Sequence, residues 1–255
     1  MAYAAFNGLN MYYEVHGEGP PLLTLHGGTG SINPDSTMIP FFAAEFRVIA
    51  MEQMGHGRTA DIFDRPFHYH DMAEDTVELM RQLGIESASV LGYSDGGIIG
   101  LDMAIHHPER VTKLAVTGAN CRTDGYTAEN LEWIRTLNPD DAPVSEAYSR
   151  LSPDGAAHWP VFLRRLQRMW AVEPGFTREQ LQSIKAPVLI IVGDGDIVTP
   201  EHAVEMFRTI PAAQLCVVPH SGHGVMPKEM VLTFLQEDGG EVREARASVA
   251  QAAAG

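Results

Sequence analysis

Ser94 lies in Gly92-Tyr93-Ser94-Asp95-Gly96, directly after an apolar run and directly before Gly97-Ile98-Ile99. A G-x-S-x-G turn between a strand and a helix holds its serine on a sharp, strained corner, and the small flanking residues let neighbouring backbone pass close by. The chemistry this allows is nucleophilic attack. A serine hydroxyl at its own pKa is a weak nucleophile, so a base must take its proton and an acid must hold that base in the right tautomer. Two later segments supply such groups. Gly193-Asp194-Gly195-Asp196 follows the apolar run 187–192, and His220-Ser221-Gly222-His223 follows the run 214–218. Two carboxylates and two histidines are therefore open as partners of Ser94.

These groups need a scaffold. The spacing predicts a hairpin over 2–6 and 9–15 around an Asn7-Gly8 turn. Short apolar runs then follow at 21–25, 47–51, 88–91, 111–116, 187–192 and 214–218, apolar on both faces as a buried parallel sheet requires. Helical periodicity falls between them, at 70–83, 98–105 and 200–207, the last with Thr199 as a cap and Pro200 in its first turn. This alternation predicts an α/β fold with a doubly wound, mostly parallel sheet of about eight strands, the N-terminal hairpin being antiparallel. Its ligand crevice lies at the carboxyl ends of the strands, where Ser94, the two aspartates and the two histidines fall.

The interval 119–185 breaks this rhythm. It holds no convincing strand but does hold apolar helical stretches such as 161–170, and it reads as a helical cap inserted after the sixth strand. The core is then 1–118 with 186–238, and 239–255 is an alanine-rich peripheral tail. All three tryptophans, Trp133, Trp159 and Trp170, lie in the interval. Packing the insertion onto the sheet is the ordinary role of such aromatics. With Tyr93 and Asn120 they are also the candidates for a substrate pocket.

A formal net charge of −15 over 255 residues disfavours a nucleic-acid backbone or an anionic membrane as partner. The N-terminus lacks the basic start and apolar core of a signal peptide, and no apolar run approaches 18 residues, so a cytoplasmic protein, monomer or homodimer, is expected. Cys121 and Cys216 show no metal-ligand spacing. Cys216, in an apolar run, reads as a buried inert thiol; Cys121 reads as structural, with the pocket as its alternative. His26 and His56 read as loop hydrogen-bonding residues. His68-x-His70 lacks further ligands nearby in sequence and reads as polar residues entering a helix. No phosphate loop is present, and neither a metal nor a cofactor is expected.

The five motifs His26-Gly27-Gly28, Gly55-His56-Gly57-Arg58, Gly92-Tyr93-Ser94-Asp95-Gly96, Gly193-Asp194-Gly195-Asp196 and Gly222-His223 together resemble the α/β-hydrolase superfamily, in its esterase-like branch with a helical cap. The resemblance spans roughly residues 6–235. It implies Ser94 as nucleophile, His223 as base in preference to His220, and Asp196 as acid in preference to Asp194 or Asp124. It also implies an oxyanion hole made by the backbone N–H groups of Gly28 and Asp95. Many relatives carry methionine where this chain has Asp95, and a polar or water-exposed wall beside the nucleophile is one consequence of the aspartate. The expected activity is hydrolysis of small or medium carboxylic esters through an acyl-enzyme. A lactone hydrolase on the same triad is the alternative, ahead of a cofactor-free perhydrolase, a carbon–carbon bond hydrolase or a noncatalytic ligand-binding member of the fold.

Overall fold

A computed structural model describes residues 2–33 and 35–237; the predicted tail, 239–255, lies outside the described residues. The chain starts as the hairpin β1 (Ala2–Phe6) and β2 (Leu9–His16), paired antiparallel from Ala2 opposite Tyr13 to Phe6 opposite Leu9. Asn7 and Gly8 both adopt positive φ, the conformation a tight hairpin turn needs. β3 (Pro21–Leu25) leads to the short helix α1 (Met38–Ala43), then β4 (Arg47–Met51), α2 (Tyr69–Gln82), β5 (Ala88–Tyr93), α3 (Asp95–His106) and β6 (Val111–Thr117). Four α-helices follow before the next strand: α4 (Ala128–Thr136), α5 (Glu146–Leu151), α6 (Trp159–Trp170) and α7 (Arg178–Ser183). The chain then returns through β7 (Val188–Gly193), α8 (Pro200–Thr209), β8 (Ala213–Val218) and α9 (Lys228–Gln236).

The eight strands form one sheet in the order β1-β2-β4-β3-β5-β6-β7-β8. β2 runs antiparallel to β1 and β4, and every pairing from β4 to β8 is parallel. Parallel strands are covered on both faces. One apolar layer contains residues of α2, α3 and α8, and the other contains Phe42 of α1 with Val231, Phe234 and Leu235 of α9. Amphipathic spacing explains the placement of α2: Met72, Ala73, Thr76, Leu79 and Met80 are buried, at intervals of three and four residues. In α3 the residues from Asp95 to Ala104 are all buried, as expected for a helix enclosed between the sheet and its neighbours.

Two boundaries moved from their sequence-based places. Gly92 and Tyr93 continue β5 past residue 91, and α3 begins at Asp95, well before 98. Gly92 and Gly96 lie inside these elements, where the helix and strands approach too closely for a side chain. A Cβ on Gly96 would lie 2.2 Å from the Leu25 carbonyl oxygen. No helix among the described residues is long and apolar enough to cross a membrane.

Candidate active site

Each candidate group stands just beyond a strand's carboxyl end: Gly28 after β3, Ser94 after β5, Asp196 after β7 and His223 after β8. Ser94 occupies φ 52° and ψ −119°, a conformation that a non-glycine residue holds only when its surroundings enforce it. They do so from both sides. The Ser94 amide donates to the Thr117 carbonyl of β6 at 2.8 Å, and its own carbonyl accepts from Gly97 and Ile98 in the first turn of α3. The hydroxyl is thereby presented at the junction of strand and helix.

Ser94 Oγ lies 3.0 Å from His223 Nε2, and His223 Nδ1 lies 2.7 Å from Asp196 Oδ1. Asp196 is 5% exposed. Burial alone would raise its pKa, but the hydrogen bond and charge of His223, together with the Val198 and Gly193 amides, outweigh burial and hold the carboxyl below its usual range. An ionised Asp196 accepts the Nδ1–H of His223, which leaves Nε2 free to accept the serine proton. The rival residues are elsewhere. Asp194 is spent on the Ser221 amide at 3.0 Å, Asp124 pairs with Arg122, and exposed His220 sits at positive φ in the loop.

Of the polar or water-exposed wall that Asp95 could make, the structure shows a polar and buried one. Asp95 is 6% exposed, with Oδ1 accepting from Tyr69 Oη and Oδ2 accepting from Trp170 Nε1, each at 2.9 Å. Burial pushes its pKa up to about 6, and the bonds from Trp170 and Tyr69 and the His223 charge restrain it from going higher. Its backbone N–H belongs to the first residue of α3, where helix amides have no partner within the helix. Gly28 packs directly against this carboxylate, and a Cβ there would meet Asp95 Oδ2 at 2.5 Å and Trp170 at 2.6 Å. Only a glycine lets the backbone at position 28 come so near.

Ser94 and His223 open into a cavity of about 730 Å³. Tyr93, Trp133, Trp159 and Trp170 line it, as do Gly28 and Asp95. Asn120 does not join them. It is buried, its Nδ2 donating to the Arg122 carbonyl at 2.8 Å, so that pocket assignment is corrected. Tyr126 and Ile197 line the cavity as well. The signal was present in Tyr126, an aromatic residue of the inserted interval.

The remaining polar residues fall into local roles. His26 donates from Nδ1 to the Gly27 carbonyl and accepts the Gln53 amide at Nε2, while His56 bonds the Met54 carbonyl. Burial pushes the His56 pKa down to about 3, so this imidazole is neutral. Cys121 is buried with Sγ 3.2 Å from His202 Nε2, and burial pushes its thiol up to about 12. Cys216 is half-buried on the edge strand β8, less enclosed than its apolar run suggested. His68 meets Glu173, whereas His70 of α2 lies beside Asp102 and His106 of α3, groups remote from it in sequence.

A family model described as alpha/beta hydrolase fold matches residues 20–157. A protein of Azorhizobium caulinodans named "Putative carbamate hydrolase RutD" is 30% identical, over 93% of this chain and 99% of its own length. "Serine hydrolase BPHL" of Homo sapiens is 27% identical, over 88% of this chain and 80% of its own. Among solved structures, the enol-lactonase from Burkholderia xenovorans LB400 matches with a TM-score of 0.72 at 22% identity, covering 92% of this chain and 100% of that one. At that identity the likeness is one of fold.

Proposed function

The chain belongs to the α/β-hydrolase fold family, and from that premise we propose that it is a serine hydrolase cleaving carboxylic esters of small or medium-sized molecules through an acyl-enzyme. Ser94 Oγ attacks the ester carbonyl carbon while His223 Nε2 takes the serine proton. The oxyanion that forms is held by the Gly28 and Asp95 amides, and Asp196 steadies the imidazolium. Collapse of the tetrahedral intermediate breaks the ester C–O bond, and His223 returns its proton to the departing alcohol. Water, deprotonated by the same histidine, then attacks the acyl-serine; the acid leaves and Ser94 recovers its proton. No step calls on a metal or cofactor.

The observation that supports this reading is the unbroken series of Ser94, His223 and Asp196 at 3.0 and 2.7 Å, on a strained serine facing a cavity. The segment 119–185 is, on the same reading, a cap that shapes the cavity from above the strand ends. Hydrolysis of p-nitrophenyl esters by purified protein, with covalent labelling by a fluorophosphonate, tests it. Ser94→Ala should abolish labelling and lower kcat by about 10⁶, as removal of a triad nucleophile does. Appreciable ester turnover by that variant would sink the mechanism.

A narrower substrate class has its own support. The cavity is lined by Asp95 and Asp141 and by five aromatic rings, with neither lysine nor arginine among its described lining residues. Carboxylates and aromatic faces both attract a cation. An ester bearing an ammonium group, such as an aminoacyl ester, therefore suits this cavity better than an anionic one. The substrate panel should pair aminoacyl esters with their N-acetylated counterparts, beside lactones and carbamates. A preference for the free amine supports the narrower class; equal rates on each pair remove it, and faster lactone or carbamate turnover reassigns the substrate while leaving the triad in place.

A further inference from the structure

At the far end of α3 from Ser94, Asp102 and His106 stand four residues apart and so project from one face of the helix. His70, in the first turn of α2, faces them: its Nδ1 lies 2.9 Å from Asp102 Oδ1, and His106 Nδ1 lies 3.0 Å from the same oxygen. The His70 and His106 rings meet edge to face, with centroids 4.7 Å apart. One ligand-capable atom from each residue lies within 4.8 Å of the other two. Asp102 is 3% exposed, whereas both imidazoles reach solvent. A buried carboxylate thus anchors two rings at the surface.

We propose that His70, Asp102 and His106 form a binding site for a divalent transition-metal cation, clamping α2 to α3. Zinc bonds of about 2.0–2.2 Å to nitrogen and oxygen set ligand-to-ligand separations of about 2.9–3.4 Å at angles from square to tetrahedral. The two measured separations from Asp102 Oδ1 fall in that interval, and a small turn of two exposed rings closes the third. On binding, Nδ1 of each imidazole gives up its hydrogen and ligates, and the metal takes the place of the Nδ1 contacts with Asp102, including that of His106 with the Asp102 carbonyl at 3.1 Å. The ligand set of two imidazoles and one carboxylate suits Zn²⁺, Ni²⁺ or Cu²⁺ rather than Mg²⁺ or Ca²⁺. Water completes the shell, with Glu74 nearby: its Oε1 is 3.8 Å from His70 Nε2 and 2.6 Å from His107 Nε2.

The site is separate from the proposed triad, so binding can be read without any catalytic assay. Isothermal titration of the full chain with ZnCl₂, beside the Co²⁺ absorption spectrum, should give one cation per chain. His70→Gln and His106→Gln, both changes at solvent-reaching rings, should each weaken binding by at least about tenfold and remove the cobalt bands. His16→Gln, at a half-buried histidine of β2 outside the cluster, should bind as the unaltered chain does. Absence of stoichiometric uptake, binding by His70→Gln or His106→Gln as tight as that of the unaltered chain, or a comparable loss in His16→Gln would each overturn the proposal.

Discussion

Asp95 has two parts with opposite demands. Its amide is proposed to face a developing negative charge, while its carboxyl, buried between Tyr69 and Trp170, carries a raised pKa of about 6 against an ordinary 3.8. A carboxyl that binds its proton more tightly when folded stabilises the native state most at low pH. That contribution declines as pH rises from about 4 through 6, and at about 1.4 kcal/mol per pKa unit it amounts to roughly 3 kcal/mol. Asp196 has the opposite sign, since its depressed pKa favours the fold above its unfolded value and that benefit is lost on acidification. Urea midpoints measured from pH 4 to 7 on the unaltered chain and on Asp95→Asn separate the two. The advantage of the unaltered chain should shrink steadily across that range, whereas parallel curves would show that Asp95 titrates normally.

The first turn of α3 positions Ser94, the proposed nucleophile, only because it can press against the end of β3. Gly96→Ala would place a methyl group 2.2 Å from the Leu25 carbonyl oxygen and 2.6 Å from that of His26, both backbone atoms with little room to yield. Overpacking commonly costs 1–3 kcal/mol, and a clash with two carbonyls should reach about 3. It should also move Ser94 relative to Gly28 and cut kcat far more than KM. An alanine variant with an unchanged urea midpoint and unchanged kcat would refute this account of the turn. In the sequence, the turns after the apolar runs offered Ser94 two carboxylates and two histidines as partners, and the resemblance to the α/β-hydrolase superfamily, not the local spacing, is what singled out Asp196 and His223. Asp95 was not legible in the same way. Its hydrogen-bond partners are 26 and 75 positions away, on α2 and α6, and nothing near residue 95 announces them. The His70 cluster was hidden for the same reason, its partner Asp102 being 32 positions along the chain. Asn120 stands behind the cavity: its Nδ2 donates to a backbone carbonyl two residues on, and its side chain also bonds Tyr126, which does line the cavity.

Over the whole molecule, the fixed sheet and the helices between β6 and β7 enclose the cavity together, and α6 is held to the rest at both ends. Near its C-terminus Trp170 bonds Asp95, and Glu173 just beyond accepts the Tyr69 amide at 3.0 Å. At its N-cap His158 stands 2.9 Å from the Asp61 carboxylate, with which Arg165, midway along the helix, also pairs. The Asp61 side chain is 3% exposed and that of Arg165 12%, so this is a buried pair linking the segment after β4 to the proposed cap. Removing one member of such a pair strands the other's charge, typically at 3–5 kcal/mol, while removing both together costs much less. Arg165→Met should therefore lower stability by about 3 kcal/mol or more, and adding Asp61→Asn should recover a large part of the loss. Because Trp170 rides on the same helix, the single variant should also loosen the Asp95 wall and raise KM, and the double variant should restore it in part. Denaturation midpoints and KM measured for the two single variants and the double variant form a complete cycle. Additive losses would mean that Arg165 and Asp61 act independently and that α6 is held in place by its other contacts, among them the bond from Trp170 to Asp95.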